Sequence, residues 1–496
     1  MCVEALLLRG SGDEGWRRGL SPTGYARGMT LHPVERPILA LWFWPFVLAL
    51  TGCPTPKAAV DSDTAPDFAN VDAVLYGESA GDESGISLSA AGDMDGDGYD
   101  DVLVGAIGDA NGGTGSGATY LVHGPISGVA SLAVADAKIT GDDVGGSSGY
   151  AVAGNFDADG DGSPDILIGA PGVSPKGTGA AYLVLGPVTG TVSLAAADAT
   201  FTGEHLSARA GDCVAAGGDV DDDGYDDMLI SSPGGAGHPS IYVMSGAKAG
   251  TASLSTANAA IRADSSADAS ESSVASAGDV DGDGISDLIL LPVSGSRAAY
   301  LVLGPVSGSV SLNSADAEFN GGAALNSVAG PGDVDGDGRD DLAVASADDP
   351  DGGIGAGAAY LLFGAQTGHA DIDTADAKIL GESRDRLGTS LGSPGDLDVD
   401  GYADLLLGAQ RYSGDPGPFS GCAYLLRGPI SGVAKVGDVA SRLVAGSQRD
   451  VVGYAATGAG DVDGDGLPDL LIGAPGMSTP ASGNGAAYVL LNGSLF

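Results

Sequence analysis

The sequence predicts an all-β fold, a seven-bladed β-propeller with four antiparallel strands per blade, and three observations carry the prediction. The string D-x-D-x-D-G-x-x-D begins at Asp93, Asp157, Asp219, Asp279, Asp333, Asp396 and Asp461, with spacings of 64, 62, 60, 54, 63 and 65 residues. Each copy is flanked by short apolar or small-residue runs and not by amphipathic helical stretches. The 85 Gly and 25 Pro of the 496 residues argue against a helical bundle. A repeat of about 60 residues holding four short strands and occurring seven times specifies a propeller.

Each element of the unit has its own reason. Ahead of every loop stands a small-residue strand, such as Gly85 to Ala91 or Gly388 to Pro394. The ninth-position Asp runs directly into DVLVGA, DILIGA, DMLISS, DLILLP, DLAVAS, DLLLGA or DLLIGA, which are continuously apolar, as strands covered on both faces are. After a Gly-rich connection comes a third strand marked by Tyr120, Tyr182, Tyr242, Tyr300, Tyr360, Tyr424 and Tyr488. A fourth follows, as at Ala135 to Gly141, Ala197 to Gly203 and Ala315 to Gly321. The seventh unit has no fourth strand after Tyr488, but Val71 to Gly77 aligns with the fourth-strand segments and precedes the first blade. It is expected to complete blade seven, so that no lone strand edge is left at the seam.

The loops are candidate calcium sites. Calcium is a hard cation that takes six to eight oxygens in a forgiving geometry, and carboxylates at alternate positions of a tight loop converge on it. Gly at the sixth position (Gly98, Gly162, Gly224, Gly284, Gly338, Gly401, Gly466) permits the turn. The ligand sets are Asp93, Asp95, Asp97, Asp101 with the carbonyl of Tyr99; Asp157, Asp159, Asp161, Asp165 with Ser163; and Asp219, Asp221, Asp223, Asp227 with Tyr225. They continue with Asp279, Asp281, Asp283, Asp287 and Ile285; Asp333, Asp335, Asp337, Asp341 and Arg339; Asp396, Asp398, Asp400, Asp404 and Tyr402; and Asp461, Asp463, Asp465, Asp469 and Leu467. Up to seven Ca2+ ions are expected. Magnesium fits less well because it demands stricter octahedral geometry. An EF-hand is excluded because strands, not helices, flank the loops.

The repeat resembles the FG-GAP repeat of integrin alpha-chain propellers and of many bacterial surface proteins. The GAP part stands at Gly169-Ala170-Pro171 and Gly473-Ala474-Pro475 and is degraded at Gly105-Ala106-Ile107 and Gly408-Ala409-Gln410. The Phe of the FG part is replaced in pairs such as Leu387-Gly388 and Ser84-Gly85. The resemblance implies a noncatalytic adhesion or interaction module. Some propellers of this kind belong to polysaccharide lyases, which makes a lyase-like enzyme the alternative, and a purely structural envelope component is the third reading.

The N-terminal region reads as an address. Ile38 to Thr51 is an apolar run of 14 residues broken by Pro45, short for a membrane span and suited to a signal-peptide core. Leu50-Thr51-Gly52-Cys53 resembles the bacterial lipobox, which implies lipidation of Cys53. The expected divisions are 1–28 as an upstream extension, 29–52 as a lipoprotein signal peptide, 53–69 as a tether and 70–496 as the propeller. A lipid anchor in the envelope follows, at the outer membrane or cell surface of a Gram-negative bacterium, where Pro54 and not Asp follows Cys53.

A formal charge of -45, from 21 Lys+Arg against 66 Asp+Glu, excludes nonspecific nucleic-acid binding. Fifty-seven of those acids are Asp, the residue of turns and metal loops and not of a generally acidic surface. Cys213 and Cys422 occupy small-residue slots of the repeat and read as buried packing residues. Five His without HExxH give no zinc-hydrolase pattern, and Gly112 to Gly117 lacks the helix that a phosphate cradle needs. An unknown extracellular protein or glycan is the expected partner. Its place is the face opposite the metal loops, where the second-to-third strand connections vary most. The blade-six connection, Gln410 to Gly421, carries Arg411, Tyr412 and Phe419, residue types enriched at binding hot spots.

Overall fold

The structure, a computed structural model, describes residues 71–173, 177–234, 240–246, 249–263, 273–292, 297–413, 418–445 and 447–495. Cys53 and the segments expected to form the leader and the tether lie outside the described residues, as do 414–417 of the blade-six connection.

The seven expected blades are present, each built outward from a central axis. Blade one runs Ser84–Gly92, Asp101–Ala106, Ala118–Val122 and Ala137–Thr140, all antiparallel neighbours. The innermost strands of all seven blades surround a channel of about 480 Å3, lined among others by Ser87, Tyr150, Asp212, Cys213, Ser390 and Tyr454. Second strands are buried throughout, as in Asp101–Ala106 and Asp404–Ala409. Their side chains interleave between adjacent blades: Val102 and Val104 of blade one pack with Leu471 and Val489 of blade seven. Among the described residues no helix is long and apolar enough to cross a membrane.

The structure adds a strand that the sequence reading did not anticipate. In six of the seven sheets a fifth, parallel strand lies outside the fourth, and it belongs to the next blade in the ring. Gly190–Ser193 of blade two, for example, pairs with Ala137–Thr140 of blade one in the register Gly190↔Ala137 to Ser193↔Thr140. Each fifth strand ends in a short turn whose first residue is buried: Leu132, Leu194, Leu254, Leu312, Ile372 or Val436. The connection from the third to the fourth strand therefore locks one blade onto its neighbour.

The seam closes as expected. Ala73–Tyr76 pairs antiparallel with Ala486–Leu490, from Ala73↔Val489 to Tyr76↔Ala486. Asp72 fastens the joint, its Oδ2 accepting the Leu491 N–H at 2.8 Å and the Ser494 hydroxyl at 2.6 Å.

The glycines of the degraded FG and GAP motifs have a packing reason. Gly149 has φ +77 and donates its N–H to the carbonyl of Gly169, the GAP glycine of its own blade, at 3.1 Å. Its own carbonyl lies against Gly105, the GAP glycine of the preceding blade, where a Cβ would overlap it. Backbone meets backbone at this junction, so only Gly fits.

Deleting Val71 to Gly77 should destabilise the chain by roughly 3–6 kcal/mol, from re-exposure of Val74 and Leu75 alone, and should promote aggregation through the freed 486–490 edge. Deleting the equally long Pro54 to Val60 should leave the melting temperature unchanged. Thermal melts and light scattering on the two deletions check this, and equal tolerance of both would contradict the closure.

Candidate metal centre

Every D-x-D-x-D-G-x-x-D string forms the connection from a first to a second strand, so the seven loops share one face of the propeller. Local hydrogen bonds shape each loop by themselves. In blade one, Asp93 Oδ1 accepts the N–H groups of Gly96 and Asp97 at 2.8 and 2.9 Å, and Oδ2 that of Gly98 at 2.9 Å. Asp97 Oδ1 accepts the Tyr99 N–H at 3.0 Å. The same first-carboxylate bonds recur at Asp157, Asp279, Asp333 and Asp461.

The ninth-position Asp is the buried member. Asp101, Asp165, Asp227, Asp287, Asp341, Asp404 and Asp469 are at most 1% exposed. Asp101 Oδ2 accepts the Met94 N–H at 2.8 Å, and Oδ1 accepts the Gly124 N–H of the outer turn at 2.9 Å. Burial pushes these carboxyls up, against the opposing effect of the backbone bonds, to about 6 at Asp101, Asp165 and Asp287 and about 7 at Asp227, Asp341 and Asp469.

The residues fit a hard cation. In blades one to five the first, third and ninth carboxylates each offer an oxygen, and the three lie within 4.8 Å of one another, as at Asp93, Asp95 and Asp101. In blade three the Oδ1 atoms of Asp221 and Asp227 are both buried without a hydrogen-bond partner. Buried carboxylate oxygens left bare beside other carboxylates are costly unless a cation answers them, and an all-oxygen donor set suits a hard divalent cation and not zinc or copper.

Sequence reasoning missed the eighth position. Asp461 N–H donates to Asp100 Oδ2 at 2.8 Å, and Asp100 N–H returns a bond to the Asp461 carbonyl at 3.0 Å, across the seam. Asp340 and Asp279 repeat that exchange between blades five and four, and Asp226 accepts from Asp157 N–H at 3.0 Å. At the one-to-two and six-to-seven junctions Pro164 and Pro468 hold this position and have no N–H to donate. The seventh-position side chains, expected only to vary, are also used. The rings of Tyr99, Tyr225 and Tyr402 cover Gly464, Gly160 and Gly336 of the preceding loop. The sequence signal was present, in an acid at position eight of three copies and an aromatic at position seven of three.

A histidine and an arginine stand beside loops. His123 Nδ1 is 3.0 Å from Asp95 and Arg427 Nε is 3.7 Å from Asp398, and neither lines the channel.

On the opposite face the blade-six residues divide. Tyr412 is half-buried against the core of its own blade, with the Arg442 guanidinium 5.1 Å from its ring and hydrogen-bonded to its hydroxyl. Phe419 is 49% exposed, with Arg411 5.9 Å from its ring. In blades one and five the position of Tyr412 is held by Asp109 and Asp349, which pair with Lys138 and Lys378. Tyr in place of Asp leaves Arg442 without that carboxylate.

Close by, Asp385 is 5% exposed and its Oδ2 has no partner. Burial first, and Glu382 second, push its carboxyl up to about 7. A folded-state value above the unfolded one means that the ionised form opposes folding, so this contribution worsens as pH rises from about 4 to about 7 and is constant above. Asp385→Asn should therefore raise stability at pH 8 by on the order of 2 kcal/mol, with the gain vanishing near pH 4. Paired melts of parent and variant across that range measure it.

Residues 452–490, in blade seven, match the FG-GAP repeat model. Relatives include Integrin alpha pat-2 of Caenorhabditis briggsae, 38% identical over 134 residues, which are 27% of this chain and 10% of that protein. Integrin alpha-PS2 of Drosophila melanogaster is 36% identical over 152 residues, 29% of this chain and 11% of its own length. Integrin alpha-7 of Homo sapiens is 39% identical over 87 residues, 17% of this chain and 7% of its own. The matches thus span about a tenth of these relatives. The chain is thus a seven-bladed propeller that carries an FG-GAP repeat in blade seven and is similar in sequence to integrin alpha chains.

Proposed function

We propose that the chain is a calcium-stiffened, noncatalytic adhesion or interaction module displayed on a cell envelope. The observation that carries the calcium part is the repeated trio of carboxylates with its buried ninth member. The first, third, fifth and ninth Asp of each loop would hold the ion, joined by the carbonyl of the seventh residue. The bound ion supplies positive charge where each blade buries a carboxylate. Adhesion is supported by the likeness to integrin alpha chains.

The partner surface in this reading is the face opposite the loops, at blade six. Arg384, Arg411, Arg442 and Arg449 are exposed there, and Phe419 adds an apolar contact. Among the described residues none of these four arginines has a carboxylate within 4.0 Å. Guanidinium groups free of carboxylates suit an acidic protein or glycan partner. Cys53 would carry a lipid that holds the module at the membrane. The lyase reading draws its only support from His123 and Arg427 beside their loops, a placement away from the channel.

At about 1 mM calcium, sites with dissociation constants of roughly 0.1 to 1 mM contribute about 0.4 to 1.4 kcal/mol each, or roughly 3 to 10 kcal/mol for seven. Chelation should therefore lower the melting temperature substantially, and an unchanged value would remove the calcium part. Capture from envelope extracts with calcium and with chelator tests the rest. A partner recovered intact, and weakened by Phe419→Ala at unchanged melting temperature, supports adhesion, whereas a cleaved glycan supports the lyase. Cys53→Ser should move the chain from the membrane fraction to the soluble one, and a chain that stays put would refute the anchor.

A further inference from the structure

Blade six differs from its six sisters at its outer edge. Its sheet holds four strands, Leu391–Gly395, Asp404–Ala409, Cys422–Leu426 and Ala440–Ala445, and among the described residues nothing pairs with the outer side of Ala440–Ala445. Elsewhere that side is covered by a parallel strand, which in five of the six cases begins eight residues before an Asp or Asn: Gly128 before Asp136, Gly190 before Asp198, Gly250 before Asn258, Gly308 before Asp316 and Gly368 before Asp376; in the sixth, Gly432 stands eight residues before Ala440. An open edge with free N–H and C=O groups is a docking site for an extended segment.

The core beneath that edge is also incomplete. The hydrophobic clusters at the other six junctions each include the buried residue that ends a fifth strand: Leu132, Leu194, Leu254, Leu312, Ile372 or Val436. The cluster between blades six and seven, built on Leu406, Leu425, Leu470 and Ile472, has no counterpart among the described residues.

By the rule that each blade receives its fifth strand from the next, the segment owed to blade six precedes the fourth strand of blade seven, Ala73–Tyr76. Asp72 fixes the register. Its Oδ2 takes the Leu491 N–H at 2.8 Å, as Asp136 Oδ2 takes the His123 N–H at 2.9 Å in blade one. Counting eight residues back from Asp72 gives Thr64, and Thr64-Ala65-Pro66-Asp67-Phe68 then aligns with Gly128-Val129-Ala130-Ser131-Leu132. Asp67 falls where Ser131, and Asp371 in blade five, cap the turn, and Phe68 falls in the slot of the buried Leu132.

We propose that residues 64–68 of this chain dock as the parallel fifth strand of blade six, with Phe68 as the plug between blades six and seven. The tether expected to run to residue 69 is then only 53–63. Pro66 has no N–H at a position where the ladder uses one, since Gly128 N–H bonds to the Asp72 carbonyl at 2.9 Å and inward-facing donors alternate. This strand is therefore held by fewer backbone bonds than its sisters, and Phe68 carries more of the attachment.

Hydrogen exchange on the full chain in saturating calcium tests the docking. In the parent, amides of 440–445 should exchange about tenfold or more slowly relative to Phe68→Asp, while Phe68→Leu, which restores the residue of the sister blades, keeps the protection. The second-strand amides of 404–409 should be unaffected in all three, which separates undocking from general unfolding. Fast exchange at 440–445 in the parent, or protection that survives Phe68→Asp, would overturn the proposal. So would protection that appears only when a separate peptide is added, since the edge would then belong to another molecule.

Discussion

Each blade hangs on one buried carboxylate. The ninth-position Asp receives a backbone N–H from its own loop and, in six blades, another from the turn beyond the third strand, as Asp404 does from Leu397 and Gly428 at 2.9 Å each. It thereby ties the loop to the start of the second strand and the start of the second strand to the outer turn. Two N–H groups do not neutralise a carboxylate that is cut off from water, which is why these groups are pushed toward the protonated form. The same carboxylate that organises the blade thus creates the need for a cation, and the loop places two more carboxylates where the cation would sit.

The loops also touch one another around the face that they share. Reciprocal Asp bonds join blade seven to blade one and blade four to blade five, and a single such bond joins blade two to blade three. Proline at the one-to-two and six-to-seven junctions leaves those loops without the exchange. One of the two reciprocal pairs spans the seam, bridging residues 361 apart in sequence. The seam is therefore held three times over, by the strand pairing of Ala73–Tyr76, by Asp72 and by the Asp100 to Asp461 exchange.

Much of this was legible because seven copies average out the noise of any one. The Asp strings located the loops, the apolar runs located the second strands, and the surplus fourth-strand segment at Val71 to Gly77 located the closure. The fifth strands were not legible from hydrophobic pattern, since Gly190–Ser193 and its sisters are four exposed or half-buried residues with little apolar content; what marks them is a buried Leu one residue later. The interloop bonds were missed for a different reason: position eight varies among Asp, Pro, Ser and Ala, and its meaning appears only when the neighbouring blade is in place. At blade six, Tyr412 and Phe419 looked equivalent in sequence, yet one packs on its own blade and the other faces solvent, because Arg442 stands under Tyr412 and has no carboxylate to pair with.

The central claim is that the seven buried carboxylates are parts of cation sites. Counting the calcium bound per chain, by equilibrium dialysis at about 5 mM calcium, well above the range of extracellular sites, tests it most directly. The account predicts a value approaching seven for the parent chain and a loss of about one for each ninth-position Asp→Asn substitution that leaves the melting temperature of the remainder intact. A chain that binds no calcium under these conditions, or whose count is unchanged by Asp227→Asn, would contradict it.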